Sequence, residues 1–247
     1  MNKTHTGTHT GPITLNVRLT AGQIRVVAED RARAEIVVST PDSSGPSVEA
    51  VTNTRISDLG DTIEVDVPDN GGGGVTIQSG GGVTMVNSGS GMFIAGNVVG
   101  GSIISSGRDT FINGQRVTGG GAVHIGGSGI SVEARVPRGS SVRANTTAAD
   151  ITVTGEARAV NAGTMSGDVY VSQVQVADVR TMSGDVEIAA LSAEARIKTM
   201  SGDIEVTADP ASAALVQVRA SSMSGDITAR GRVDLDGRSM SGRVRNR

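Results

Sequence analysis

Three observations predict an all-β fold, a single-chain parallel β-solenoid of short stacked rungs. A pentapeptide recurs in tandem, a period-two apolar strand follows each copy, and the composition is rich in glycine and almost free of rings. Glycine accounts for 35 of 247 residues, whereas the aromatic set is Phe93, Phe111 and Tyr170. A core without rings is filled by Val, Ile, Leu and Ala, which suits thin, regular layers.

The repeat is M-S-G-D-V/I, starting at Met165, Met182, Met200 and Met223, with a decayed M-S-G-R-V at Met240. The steps are 17, 18, 23 and 17 residues, and TAADITV from Thr147 aligns as an earlier degenerate copy. Each copy joins a turn signal to an alternating strand: Val169/Val171, Val186/Ile188, Ile204/Val206 and Ile227/Ala229. Before each Met, the third residue back (Ala162, Val179, Ile197, Ala220, Gly237) and the fifth (Val160, Ala177, Ala195, Val218, Leu235) are small or apolar. The intervening residue (Gly163, Arg180, Lys198, Ser221, Arg238) is not a core type, so a second alternating strand is expected in every rung. Such a rung cannot bury its apolar face alone, and neighbours stacked at about 4.8 Å supply both burial and backbone partners. The 23-residue step, around ADPASAALVQV, reads as a corner loop because Pro210 cannot donate to a ladder.

Three segments follow, together making one continuous domain. Residues 1–70 are a more irregular β region that begins the solenoid, with ITLNVRL, QIRVVA, AEIVVST, SVEAV and TIEVDV as strands and AEDRARAE as a hairpin corner. Residues 71–139 hold 21 of the 35 glycines, and short β-branched runs between them predict tighter coils of the same solenoid. Residues 140–247 carry the M-S-G-D rungs.

The I-x-L-x-V-x-L-x-x-G-x-I-x-V strand pair near the N-terminus, the Gly-rich middle and the T-M-S-G-D-V/I rungs together resemble the bacterial putative-adhesin β-strand-repeat family. The likeness spans nearly the whole chain and is strongest at Thr164–Val171, Thr181–Ile188, Thr199–Val206 and Ser222–Ala229. It implies a β-solenoid with a surface role and nothing catalytic. Bactofilins, which are cytoplasmic β-helix polymers, resemble the chain by architecture alone.

Composition narrows function. With 22 basic and 25 acidic residues the formal charge is -3, so no overall basic field points to nucleic acid. The absence of cysteine rules out disulfides, thiolate metal sites and thiol catalysis. MNKTHTGTHTGPITLNVRL lacks the apolar stretch of a signal peptide, and no run has the length of a membrane span, so a cytoplasmic location without membrane insertion is expected.

Candidate sites are columns rather than single residues. Asp168, Asp185, Asp203 and Asp226 form a carboxylate column, a candidate cation ladder. The simpler expectation is that each Asp closes its turn through its own backbone, with Arg180, Lys198 and Arg238 offsetting charge. Met165, Met182, Met200, Met223 and Met240 are expected to fill a solenoid corner from within; turned outward, they form an apolar interaction stripe. Thr164, Thr181, Thr199, Ser222 and Ser239 make a hydroxyl ladder, and Ser166, Ser183, Ser201 and Ser224 have no histidine in their rungs to act as a base. His5 and His9 have a metal-compatible spacing only on a helix, which THTGTHTG disfavours.

No catalytic residue and no cofactor are therefore expected. The expected function is a non-enzymatic structural or protein-interaction scaffold, with an unidentified protein partner or self-association. The alternatives are a self-assembling filament and, with so few rings to stack on sugars, a less favoured carbohydrate-active β-helix enzyme.

Overall fold

A computed structural model of the chain describes residues 1–69 and 129–247, together with seven short strands between them. The elements in order are β1 Asn2–Thr6, β2 Thr14–Glu29, β3 Glu35–Ser39, α1 Pro46–Asn53, β4 Arg55–Leu59 and β5 Thr62–Asp66. The seven short strands are β6 Thr76–Ser79, β7 Val83–Ser88, β8 Gly91–Ala95, β9 Ile103–Ser106, β10 Asp109–Ile112, β11 Gln115–Arg116 and β12 Val123–His124. Then come β13 Ile130–Pro137, β14 Ser141–Ser166, β15 Val169–Ser183, β16 Val186–Lys198, β17 Ile204–Ala208, β18 Val216–Ser224, β19 Ile227–Arg230, β20 Val233–Ser241 and β21 Val244–Asn246.

The solenoid is built from parallel ladders with two main sides. On one side, β2 pairs with the start of β14 (Val17 opposite Ala144). The stack then runs from the end of β14 through β15, β16 and β18 to β20 (Ala162–Val179–Ile197–Ala220–Gly237). On the other, Ile24, Ile151, Val169, Val186, Ile204, Ile227 and Val244 stack in parallel register. A short third edge carries Ala157, Val174, Leu191 and Ala208, and the register slips there by one residue. That slip reconciles the 17- and 18-residue steps: β14 to β15 pairs at 18 before the irregularity and 17 after it, and β15 to β16 at 17 and then 18.

The described core is wholly aliphatic, made of Val, Ile, Leu and Ala. Each inward column places like residues one strand spacing apart, so side chains interlock along the axis without large rings. Residues 209–215 form the loop expected around Pro210, where Asp209 Oδ1 accepts the Ala211 N–H at 2.9 Å.

Several expectations for the first segment are corrected. ITLNVRL and QIRVVA are not two strands but the single 16-residue β2, which turns at Gly22 and makes a full rung. SVEAV is not a strand: Pro46 starts a helix at its first turn, and Ser47, Ala50 and Val51 share its buried face. AEDRARAE turns the chain but closes no hairpin, because β13, from about a hundred residues later, lies between β2 (parallel) and β3 (antiparallel). β1 and β4 add antiparallel strands beyond β3 and β5.

The chain divides into two compact units, residues 1–69 with 128–247, and residues 70–127. The tight solenoid coils expected within 71–139 fall largely outside the described residues. The strands described in the second unit pair antiparallel, β6–β7–β8 and β9–β10–β11, while β13 belongs to the solenoid. No helix among the described residues is long and apolar enough to cross a membrane.

Candidate functional site

The repeated pentapeptide forms the corner between the two sides of each rung. Its glycine is required there. Gly22, Gly167, Gly184, Gly202 and Gly225 all have positive φ, between 132° and 149°. A Cβ on Gly184 would overlap the Gly167 carbonyl oxygen, one on Gly202 that of Gly184, and one on Gly225 that of Gly202. Both the left-handed backbone and the close approach of rungs exclude any side chain.

The aspartate does not close its own turn, contrary to the sequence expectation. Each carboxylate reaches to the next rung. Asp150 Oδ1 accepts the Asp168 N–H at 3.0 Å, Asp168 that of Asp185 at 2.9 Å, and Asp185 that of Asp203 at 2.8 Å. Asp203 accepts from Asp226 at 2.7 Å, and Asp226 from Arg243 at 2.8 Å. At the corner the side chain thus takes the place of a ladder carbonyl, through charge-assisted bonds that satisfy a backbone donor. Among the described residues no group of three or more His, Asp or Glu side chains is gathered to hold a metal.

The cations named as charge partners of this column sit elsewhere. Arg180 Nε lies 3.4 Å from Asp178 Oδ1 and Arg238 Nε 3.8 Å from Asp236 Oδ1, both within their own strands, because residues two apart in a strand share a face. Among the described residues the ladder's ion pair is with Arg245, 3.9 Å from Asp226 Oδ2.

Thr164, Thr181, Thr199 and Ser222 are buried just before the corner. Thr199 donates to the Ser201 carbonyl at 3.1 Å, while the Thr164 and Thr181 hydroxyls have no partner within hydrogen-bond distance. Alternation then turns each methionine outward, which corrects the inward expectation. Met165, Met182, Met200 and Met223 are 45–51% exposed and Met240 is 79% exposed. The sequence held this signal: with the fifth, third and first residues before Met inward, Met itself belongs to the outer set. Ser166, Ser183, Ser201 and Ser224 are exposed beside it, completing a Met-Ser ridge.

A feature missed at the sequence level lies next to the ridge. Arg196 and Arg219, each four residues before a Met, are register partners on β16 and β18; Lys198 pairs with Ser221 in the same ladder. Around them is a shallow depression of about 460 Å³, lined also by Arg180, Arg238 and Asp236. The fourth-residue column could have been read from the repeat, but its clustering of cations depends on which rungs adjoin.

At the other end of the ladder His5, on β1, places Nε2 3.4 Å from Asp58 Oδ2, which also accepts the Thr8 N–H at 2.8 Å. The Thr8 backbone bond, followed by lesser help from the Thr8 and His5 side chains, holds the Asp58 carboxyl below its ordinary value against the opposing effect of burial. His5 thus faces a carboxylate on β4, and His9 lies beyond the strand.

Stacked parallel rungs, a glycine corner and an inter-rung carboxylate ladder define a β-solenoid protein. The chain belongs to the Toastrack family of domains of unknown function (DUF4097), whose family model matches residues 14–245. No curated protein matches it. Among solved structures, a "putative adhesin" from Bacteroides fragilis NCTC 9343 is 13% identical, covering 100% of this chain and 97% of that one with a TM-score of 0.44. A "putative lipid binding protein" from Parabacteroides distasonis ATCC 8503 is 10% identical over 99% and 96%, TM-score 0.36. A "putative cell adhesion protein" from Clostridium sporogenes ATCC 15579 is 7% identical over 100% and 99%, TM-score 0.33.

Proposed function

We propose that the solenoid is a non-enzymatic interaction scaffold that engages its target through the outward Met-Ser ridge and the strand face beside it. The observation that carries this reading is the division of labour in the corner. Glycine, aspartate and threonine serve the stack, while methionine, equally regular, contributes nothing to the core and faces solvent in five successive rungs. Methionine is flexible and polarizable, and suits a surface that must adapt to an apolar partner. The rigid ladder holds the column in line, which lowers the entropic cost of forming many weak contacts together.

A discrete scaffold fits the fold better than a filament. Beyond β2 the stack passes through parallel β13 and β5 into the antiparallel pairs β13–β3–β1 and β5–β4, so the all-parallel ladder of the rungs does not run through to that end. The test is quantitative capture of components from host extract on the immobilised chain and on an M182S/M200S/M223S variant. A component held by the wild type and lost from the variant is the expected result; equal retention by both, or none by either, would sink the reading.

A further inference from the structure

On the outer face of β15, β16, β18 and β20 two like-charged pairs lie side by side: Arg180 opposite Lys198, and Arg196 opposite Arg219. Like charges directly opposite in a ladder destabilise it; Asp178 and Asp236, opposite Arg196 and Arg219 on their other sides, offset part of this, and an anion over the cations offsets more. Arg180, Arg196 and Arg238, all exposed, have carboxylate neighbours at 3.4, 3.7 and 3.8 Å, loose pairs that contribute little in water. Among the described residues the Lys198 and Arg219 side chains form no ion pair or hydrogen bond, and both are exposed. Ser221 stands in the cation column between Lys198 and Arg238, and its short side chain leaves the depression of about 460 Å³. Five cations and one carboxylate, Asp236, line it. Guanidinium groups on neighbouring rungs present paired donors matched to phosphate oxygens.

Met200 and Met223 lie two residues beyond Lys198 and Ser221 on the same outward face. An apolar line running beside a cationic line is the arrangement of elements that lie in a membrane interface, with basic groups at the headgroups and apolar groups at the acyl boundary. We propose that this face docks on an anionic phospholipid surface, with a headgroup phosphate over Ser221 among Arg196, Lys198, Arg219 and Arg238 and with Met200 and Met223 at the acyl boundary. The proposal rests on the scaffold reading and names its target.

The test is co-sedimentation of the full chain with phosphatidylcholine vesicles, with and without phosphatidylglycerol, at low and high salt. Binding is expected only with phosphatidylglycerol and should fade as salt screens the surface. Each basic residue near an anionic surface strengthens binding about fivefold, so K198Q/R219Q should weaken it by about 25-fold, whereas R33Q/R55Q leaves it unchanged. M200S/M223S should weaken binding without altering its salt dependence. Indifference to phosphatidylglycerol, no binding, or an unaffected K198Q/R219Q variant would overturn the assignment. So would inorganic pyrophosphate shifting the Lys198 and Arg219 resonances while vesicles go unbound. If vesicles fail while ridge-dependent capture from extract persists, only the lipid target is wrong; if both fail, the scaffold reading falls with it.

Discussion

The Asp185 carboxylate accepts the backbone N–H of Asp203 at 2.8 Å, 18 residues away in sequence and one rung away in space. The same contact recurs on either side of it, so the repeated aspartate binds rung to rung at the corner, where the backbone turns away from its ladder.

Removing that acceptor should cost stability without altering the fold. Asp185→Ala leaves the Asp203 N–H to solvent and is expected to destabilise by about 1 kcal/mol, with Asp185→Asn, which keeps an oxygen, losing less. Urea denaturation of the two variants checks this; equal losses would mean that the hydrogen bond is not what the aspartate supplies.

The corner glycine should be far less tolerant than a glycine with room around it. Gly202→Ala combines φ of +140° with overlap on the Gly184 carbonyl and is expected to cost about 3 kcal/mol or more. Gly60, with φ of +72° and nothing within 4 Å of a Cβ, should cost about 1 kcal/mol as Gly60→Ala. Thermal melts that rank the two alike would show that the inter-rung approach is unimportant.

Outward methionines should be silent in folding. Met200→Ser is expected to change stability by less than about 0.5 kcal/mol, whereas Ile204→Ala, fully buried, should lose about 2–5 kcal/mol. A large loss from Met200→Ser would mean that the ridge is part of the core.

The Asp58 site carries a pH signature. Its folded carboxyl titrates below the ordinary value of 3.8, chiefly through the Thr8 N–H, so the ionised group stabilises the fold. That contribution is fully present above 3.8 and disappears as pH falls through the lowered value. Asp58→Asn should therefore have a lower urea midpoint than the wild type at neutral pH, and the gap should close in acid. A gap independent of pH would place the effect in packing.

The parallel rungs and their corner residues were legible because adjacent rungs are adjacent in sequence, so spatial register appears as a 17- or 18-residue period. The corner's alternation also held the outward direction of Met165 and its equivalents, hidden by the expectation that an apolar column belongs inside. β2 left no such trace. Its LTAGQ occupies the place of TMSGD, but β2 meets β14 at a constant offset of 127 residues and shares only the glycine with the repeat. The helix at Pro46–Asn53 was lost in apolar alternation too short to separate strand from helix.

By itself the sequence determined the all-β class, the two-sided rung, the aliphatic core and the need for glycine at the corner, because each is a local demand repeated until it becomes a period. Only the tertiary structure decided that β13 enters between β2 and β3, that each aspartate serves the rung beyond its own, and that Arg196, Lys198, Arg219 and Arg238 surround Ser221. The first and last are relations between chain segments whose separation is set by inserted loops, and an insertion moves residues along the sequence without moving their places in the stack; the second stays hidden because the repeat reads the same whichever rung supplies the donor.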